Sequence, residues 1–197
     1  DQSGAVIAEA VIVLPLMLWA YLALFVYWDA FRSVNTSQKA AYTISDMISR
    51  EMNTAPLPTT YVPGMRDLMA YLVDDEQTVK IRVSSITWSG TNKRIEVDWS
   101  RSPNNAFPQL TTATVQALAP KIPQIADGDH VMLVETEVSY HPAFDVGLSD
   151  EVLKQFIVTR PRFVQKICMT GVTCTRPTQR RACANLHKYA RHSRDLL

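Results

Sequence analysis

From Ala10 to Trp28 the chain carries no formal charge, and only Pro15, Tyr21 and Tyr27 dilute its apolarity. Nineteen residues of helix at ~1.5 Å each span roughly 28 Å, close to the ~30 Å hydrocarbon core of a bilayer. The apolar core of a signal peptide is shorter and ends in a small-residue cleavage site. This run instead ends in Tyr27-Trp28, aromatics suited to a membrane–water interface, followed by Asp29 and Arg32. A buried core helix seldom goes five turns without a polar face. The expectation is one membrane span, in contact with lipid, with Pro15 kinking it by removing a backbone donor.

The helix is expected to outlast the membrane. Phe31, Val34, Ala41, Ile44, Met47, Ile48 and Met52 recur at spacings of mostly three or four, with polar residues between them. A single helix from about Ala8 to Met52 follows. Its upper half would lay an apolar stripe on another layer.

The proline-rich stretch Asn53–Gly64 reads as a loop, and Met65, Leu68, Met69 and Leu72 as one face of a short helix. Val79, Ile81 and Val83 alternate with polar residues, as do Ile95, Val97 and Trp99, around the turn Ser89–Asn92. That pattern is a β-hairpin. A short helix closed by Pro120, a strand with Met132, Val134, Val138 and Tyr140 on one side, and a last strand over Leu153–Val158 complete the reading. The expected fold is α+β. A long N-terminal transmembrane helix continues as the spine of a head with a 3–4-stranded antiparallel sheet, whose apolar face the helix covers. The boundaries are residues 1–28 for the leader and span, 29–167 for the head, and 168–197 for a Cys-containing basic tail.

Chemistry is sparse. A formal net charge of +1 argues against nucleic-acid binding by phosphate neutralisation. No Gly-rich phosphate loop, G-x-S-x-G elbow or H-E-x-x-H occurs. Glu135 and Glu137 share a strand face, as solvated alternation explains. No catalytic residue, small-molecule substrate, cofactor or resident metal is expected. Cys168, Cys174 and Cys183 lie within 16 residues of one another, which suggests an oxidising compartment and a Cys168–Cys174 disulfide. Other pairings stay open. So does zinc, because His187 completes a ligand set whose spacing lacks a knuckle. Arg176, Arg180, Arg181, Lys188, Arg191 and Arg194 face a single acid, Asp195, in the last 22 residues. Such a tail is solvated or touches an anionic surface.

Glu9 is the one charge at the mouth of the apolar run, at the fifth position after Gly4. This arrangement resembles the processing site of type IV pilin-like proteins. More narrowly, "GAVIAEAVIVLPLML", "ITWSGTNKRIEVDWSR", and "VMLVETEVSYHPAF" followed by "TRPRF" resemble the TadE-like (TadE/TadF) minor pseudopilins of the tight-adherence pilus. The resemblance covers residues 4 to about 163 in order, with Ala10 where members commonly carry an aromatic residue.

It implies cleavage between Gly4 and Ala5, and pairing of Glu9 with the new amine of a neighbouring subunit. It also implies an inner-membrane protein with a periplasmic head that takes part in pilus assembly. Its partners would be other pilin-like or integral membrane subunits, reached through a span where Ala8, Ala20 and Ala23 permit close approach. The rival reading is a permanent accessory subunit of a larger membrane complex on an uncleaved scaffold, which the presence of Asp1–Gly4 fits. A membrane-tethered enzyme or sensor would need a convergent polar pocket in the head.

Overall fold

The computed structural model describes residues 2–52, 55–73 and 77–172, with residues 2–8 described through the backbone alone. Helix α1 spans Gln2–Ser49 and runs through Pro15 without a break in its helical assignment. Forty-eight residues at ~1.5 Å give a rod of about 72 Å. It is long and apolar enough to cross a membrane. Helix α2 spans Tyr61–Val73, and the strands are β1 (Val79–Ser89), β2 (Arg94–Arg101), β3 (His130–Tyr140) and β4 (Glu151–Thr159). The strands form one antiparallel sheet in the order β2-β1-β3-β4. The architecture is therefore α+β, with one candidate spanning helix.

The upper half of α1 and α2 pack on one face of the sheet. Ala40, Ala41, Ile44 and Ile48 from α1 and Met65 and Met69 from α2 meet Ile81, Val83, Met132, Val134 and Val138. The buried stripe differs from the one expected. Phe31, Val34, Met47 and Met52 are exposed, while Ser37, Ser45 and Ser49 are buried beside the aliphatic residues. Hydroxymethyl side chains let a helix approach the sheet closely, and a buried serine can return its hydroxyl to the helix backbone. Ser49 does so, donating from Oγ to the Asp46 carbonyl at 2.8 Å.

The helix ends at Ser49, three residues short of the expected Met52, because a distant segment caps it. The Arg162 N–H donates to the Ser49 carbonyl at 2.8 Å, and the Arg162 guanidinium bonds Asp46 at 2.7 Å. A terminal carbonyl satisfied from outside does not need the next turn. Helix α2 begins four residues earlier than the pattern suggested, at Tyr61 rather than Met65, taking Pro63 and Gly64 into its first turn. A proline there has no helical hydrogen bond to lose. The short helix before β3 is a 3₁₀ segment, Thr114–Lys121, with Pro120 inside it rather than beyond it.

The sheet is covered on both faces, where one apolar face was expected. Ile86, Ile95, Leu110, Val115, Ile122, Val131 and Leu133 form a second core on the side away from α1. A β-bulge makes this possible. Pairing shifts between Ser85 and Ile86, so that Trp99 opposes Ser85 while Val97 opposes Ile86. The extra residue, Asp98, reverses the alternation of β2. Trp99 joins the α1-side core, whereas Ile95 and Val97 belong to the other. The expected single face of Ile95, Val97 and Trp99 is thus split. The hairpin itself forms, with Gly90 pressed against Asp127, whose carboxylate accepts the Gly90 N–H at 2.6 Å. A Cβ at Gly90 would meet that carboxyl group at 2.8 Å.

The described chain stays packed on the head to its end, where Val172 lies against the α1-side core. Ile167, Cys168 and Met169 are buried, the Trp99 indole donates to the Ile167 carbonyl, and Leu57 bridges Met169.

Candidate functional site

The long helix carries the residues singled out by sequence. Gly4 and Ala5 lie in the first turns of α1, and Glu9 one turn further on, exposed. Among residues 9–28 only Val26 is buried, and Ala20 and Ala23 are half-covered. The rest of this stretch offers its side chains outward all round, as a helix solvated by lipid does.

Above the apolar run the two faces of α1 diverge. Leu24, Trp28, Phe31, Asn35, Gln38 and Tyr42 follow one another at alternating steps of four and three, and all are exposed. This stripe lies opposite the one that packs on the sheet and continues upward from the span. The Arg32 guanidinium stacks 5.8 Å from the Trp28 ring centroid, so a cation and an aromatic share the end of the run.

Asp29, the first charge above the run, accepts a 3.0 Å hydrogen bond from the Tyr140 hydroxyl at the end of β3. That bond fixes the lower end of the head against the top of the apolar run. Burial and the neighbouring Asp29 carboxylate push the Tyr140 phenol up to about 12. Tyr61 is pushed up to about 12 in the same way, by burial and by Glu51, to which it donates at 3.2 Å.

Sequence reasoning missed a polar cluster at the far end of the sheet. The bulged Asp98 accepts from Lys166 Nζ at 2.5 Å and from Ser85 Oγ at 3.0 Å, and lies 2.7 Å from His130 Nδ1. Asp98, His130 and Lys166 are all largely buried. Burial alone would raise the carboxyl, but the hydrogen bonds from His130 and Lys166 outweigh it and hold Asp98 below the usual range. The chemistry is that of a tether. It ties the segment after β4, through Lys166, to the bulge in β2. The four residues come from four separate segments, and Asp98 fits the polar–apolar alternation of Arg94–Trp99, so no local signal marked it.

Glu135 also departs from expectation. Rather than facing solvent, it forms a salt bridge with Arg82 at 2.6 Å, and Arg82 donates to the Pro108 carbonyl and stacks 5.3 Å from the Phe107 ring. The 101–129 connection folds over this part of the sheet and excludes water. Glu137 is partnered by the exposed Lys154.

On the far side of the sheet Trp88, Ile95, Ala119, Ile122, Gln124 and Ile125 line an open cavity of about 390 Å³, of mixed polar and apolar wall and with no titratable group in it. No three His, Cys, Asp or Glu side chains gather as a metal site among the described residues. Cys174, Cys183, His187 and the basic tail lie outside the described residues, and the Cys168–Cys174 pairing with them.

No protein-family model, curated protein or solved structure matches the chain.

Proposed function

We propose that the protein is a single-span structural subunit of the inner membrane, a TadE-like minor pseudopilin that takes part in assembling a tight-adherence pilus, with its head in the periplasm. One observation carries the reading. An acid-led apolar helix, exposed on all sides from Glu9 to Trp19, continues without interruption as the spine of an α+β head. A helix of this kind is a handle whose surface is reserved for lipid and for other helices.

Glu9 has the central role in this reading. A carboxylate at the edge of hydrocarbon is costly unless paired, and an N-terminal amine on a neighbouring subunit would pair with it. That amine exists only if the chain is cut between Gly4 and Ala5. The exposed stripe from Leu24 to Tyr42 would extend the same contact above the membrane, with Ala20 and Ala23 admitting a close neighbour. A Cys168–Cys174 disulfide would fit a periplasmic head.

Intact mass of the protein purified from its native membrane tests the proposal. A chain beginning at Ala5 is expected, and peptide mapping without reduction should link Cys168 to Cys174. A mass that retains Gly4 and the residues before it would remove the new amine, and with it the role given to Glu9. The protein would then be a permanent accessory subunit of a larger membrane complex.

A further inference from the structure

The connection between β3 and β4 leaves the head at the level where the apolar run of α1 ends. Tyr140, the last residue of β3, is bonded to Asp29 at 3.0 Å, level with the first charge above the apolar run. Three residues below Asp29, Val26 is 1% exposed, although its neighbours Phe25 and Tyr27 are open. A side chain on a lone helix cannot be that covered. The end of β3 and the residues 141–150 that lead into β4 lie at this end of the sheet, where Tyr140 pairs with Glu151, as does the start of β1, where the Thr78 carbonyl accepts the Ser139 N–H. The head therefore extends to this level of α1, and the β3–β4 connection leaves it directly after Tyr140.

Its composition suits that position. The loop is drawn together at its neck by His141 Nδ1 and Asp150 Oδ2, 2.9 Å apart, and Gly147 turns the backbone with φ +98°. Between them stands Phe144, 48% exposed. Tyr27 and Trp28 are exposed at the same level on α1. Aromatic rings gather at membrane interfaces because their apolar bodies leave water while their edges stay near headgroups. Asp145, Asp150 and Glu151 limit the depth, since a carboxylate in hydrocarbon is costly.

We infer that the β3–β4 loop is a lipid-contacting foot, seating Phe144 among the headgroups and upper acyl carbons beside Tyr27 and Trp28. It would hold the head upright on its helix and set its height above the membrane. The inference rests on the single-span reading.

Phe163, exposed at the opposite end of the head, supplies the control. It follows Arg162, which caps Ser49, and so lies about 30 Å above Asp29 by helical rise. The photoreactive p-benzoylphenylalanine would replace Phe144, Phe163 or Trp19, one at a time, in the full chain. Each variant would be reconstituted in phosphatidylethanolamine–phosphatidylglycerol vesicles, irradiated, and analysed for lipid adducts by mass. Adducts from positions 144 and 19, with none above background from 163, are expected.

Adducts from 19 alone would overturn the foot and leave the span standing. No adduct from 19 would overturn the span and the foot together. Equal yields from 144 and 163 would mean that the head lies flat on the bilayer, and a protein adduct from 144 would mark a protein contact. Either result would overturn the inference.

Discussion

Asp98 shows how much one inserted residue can organise. By adding a position to β2 it turns Trp99 toward α1, leaves Val97 on the opposite face, and places its own carboxylate where Lys166 and His130 converge. Asp98→Asn would leave the Lys166 ammonium buried without a counter-charge, which should cost roughly 3–5 kcal/mol, as does breaking other buried pairs. Chemical denaturation of the two proteins at neutral pH checks this. The carboxyl sits below its ordinary value of 3.8, so its contribution is complete above that value and is lost as the pH falls through the lower folded value. Wild type and Asp98→Asn should therefore converge in stability toward strongly acid pH. None of this was legible in the sequence, because a bulge is decided by what lies across the strand. Glu135 was misread for the same reason: its partner Arg82 and the cover from Phe107 come from other parts of the chain.

At the scale of elements, helical periodicity found α1 and the strands but not the orientation of α1. Counting apolar residues placed Phe31, Val34 and Met47 on the packed face, whereas the structure puts Ser37, Ser45 and Ser49 there. The upper half of α1 carries apolar residues on both its packed and its open surface, and small polar side chains suit the place where backbones approach closely. Ser37 is fully buried and its Oγ has no hydrogen-bond partner among the described residues. Ser37→Ala should accordingly raise stability by about 1 kcal/mol, since the desolvated hydroxyl is removed and a better helix former takes its place. Thermal unfolding of the head in detergent measures the shift. A fall in stability would show that the hydroxyl is bonded.

At the scale of the whole molecule, two contacts fix the head on its helix. One is the Arg162 cap on Ser49 at the top, and the other is the Tyr140–Asp29 bond at the bottom. The lower one should respond to alkali. Tyr140 and Tyr61, both pushed up to about 12, contribute stability that is complete below the ordinary tyrosine value of 10.0. That contribution is lost as the pH rises from there toward 12. Near-ultraviolet titration should show these two phenols ionising last, and Tyr140→Phe should remove one of the late steps. The same variant should lower stability at neutral pH by roughly 1–2 kcal/mol, through loss of a hydrogen bond to a charged group.

The sequence by itself determined what depends on neighbours along the chain. The candidate span follows from an uninterrupted apolar run, the hairpin from alternation around a turn, and the candidate role of Glu9 from its place ahead of that run. Only the tertiary structure decided what depends on residues far apart. The face of α1 that meets the sheet, the bulge at Asp98 and the end of α1 at Ser49 all required partners brought from up to 116 positions away. Local pattern records which residues avoid water, but only the folded chain decides which neighbour covers them.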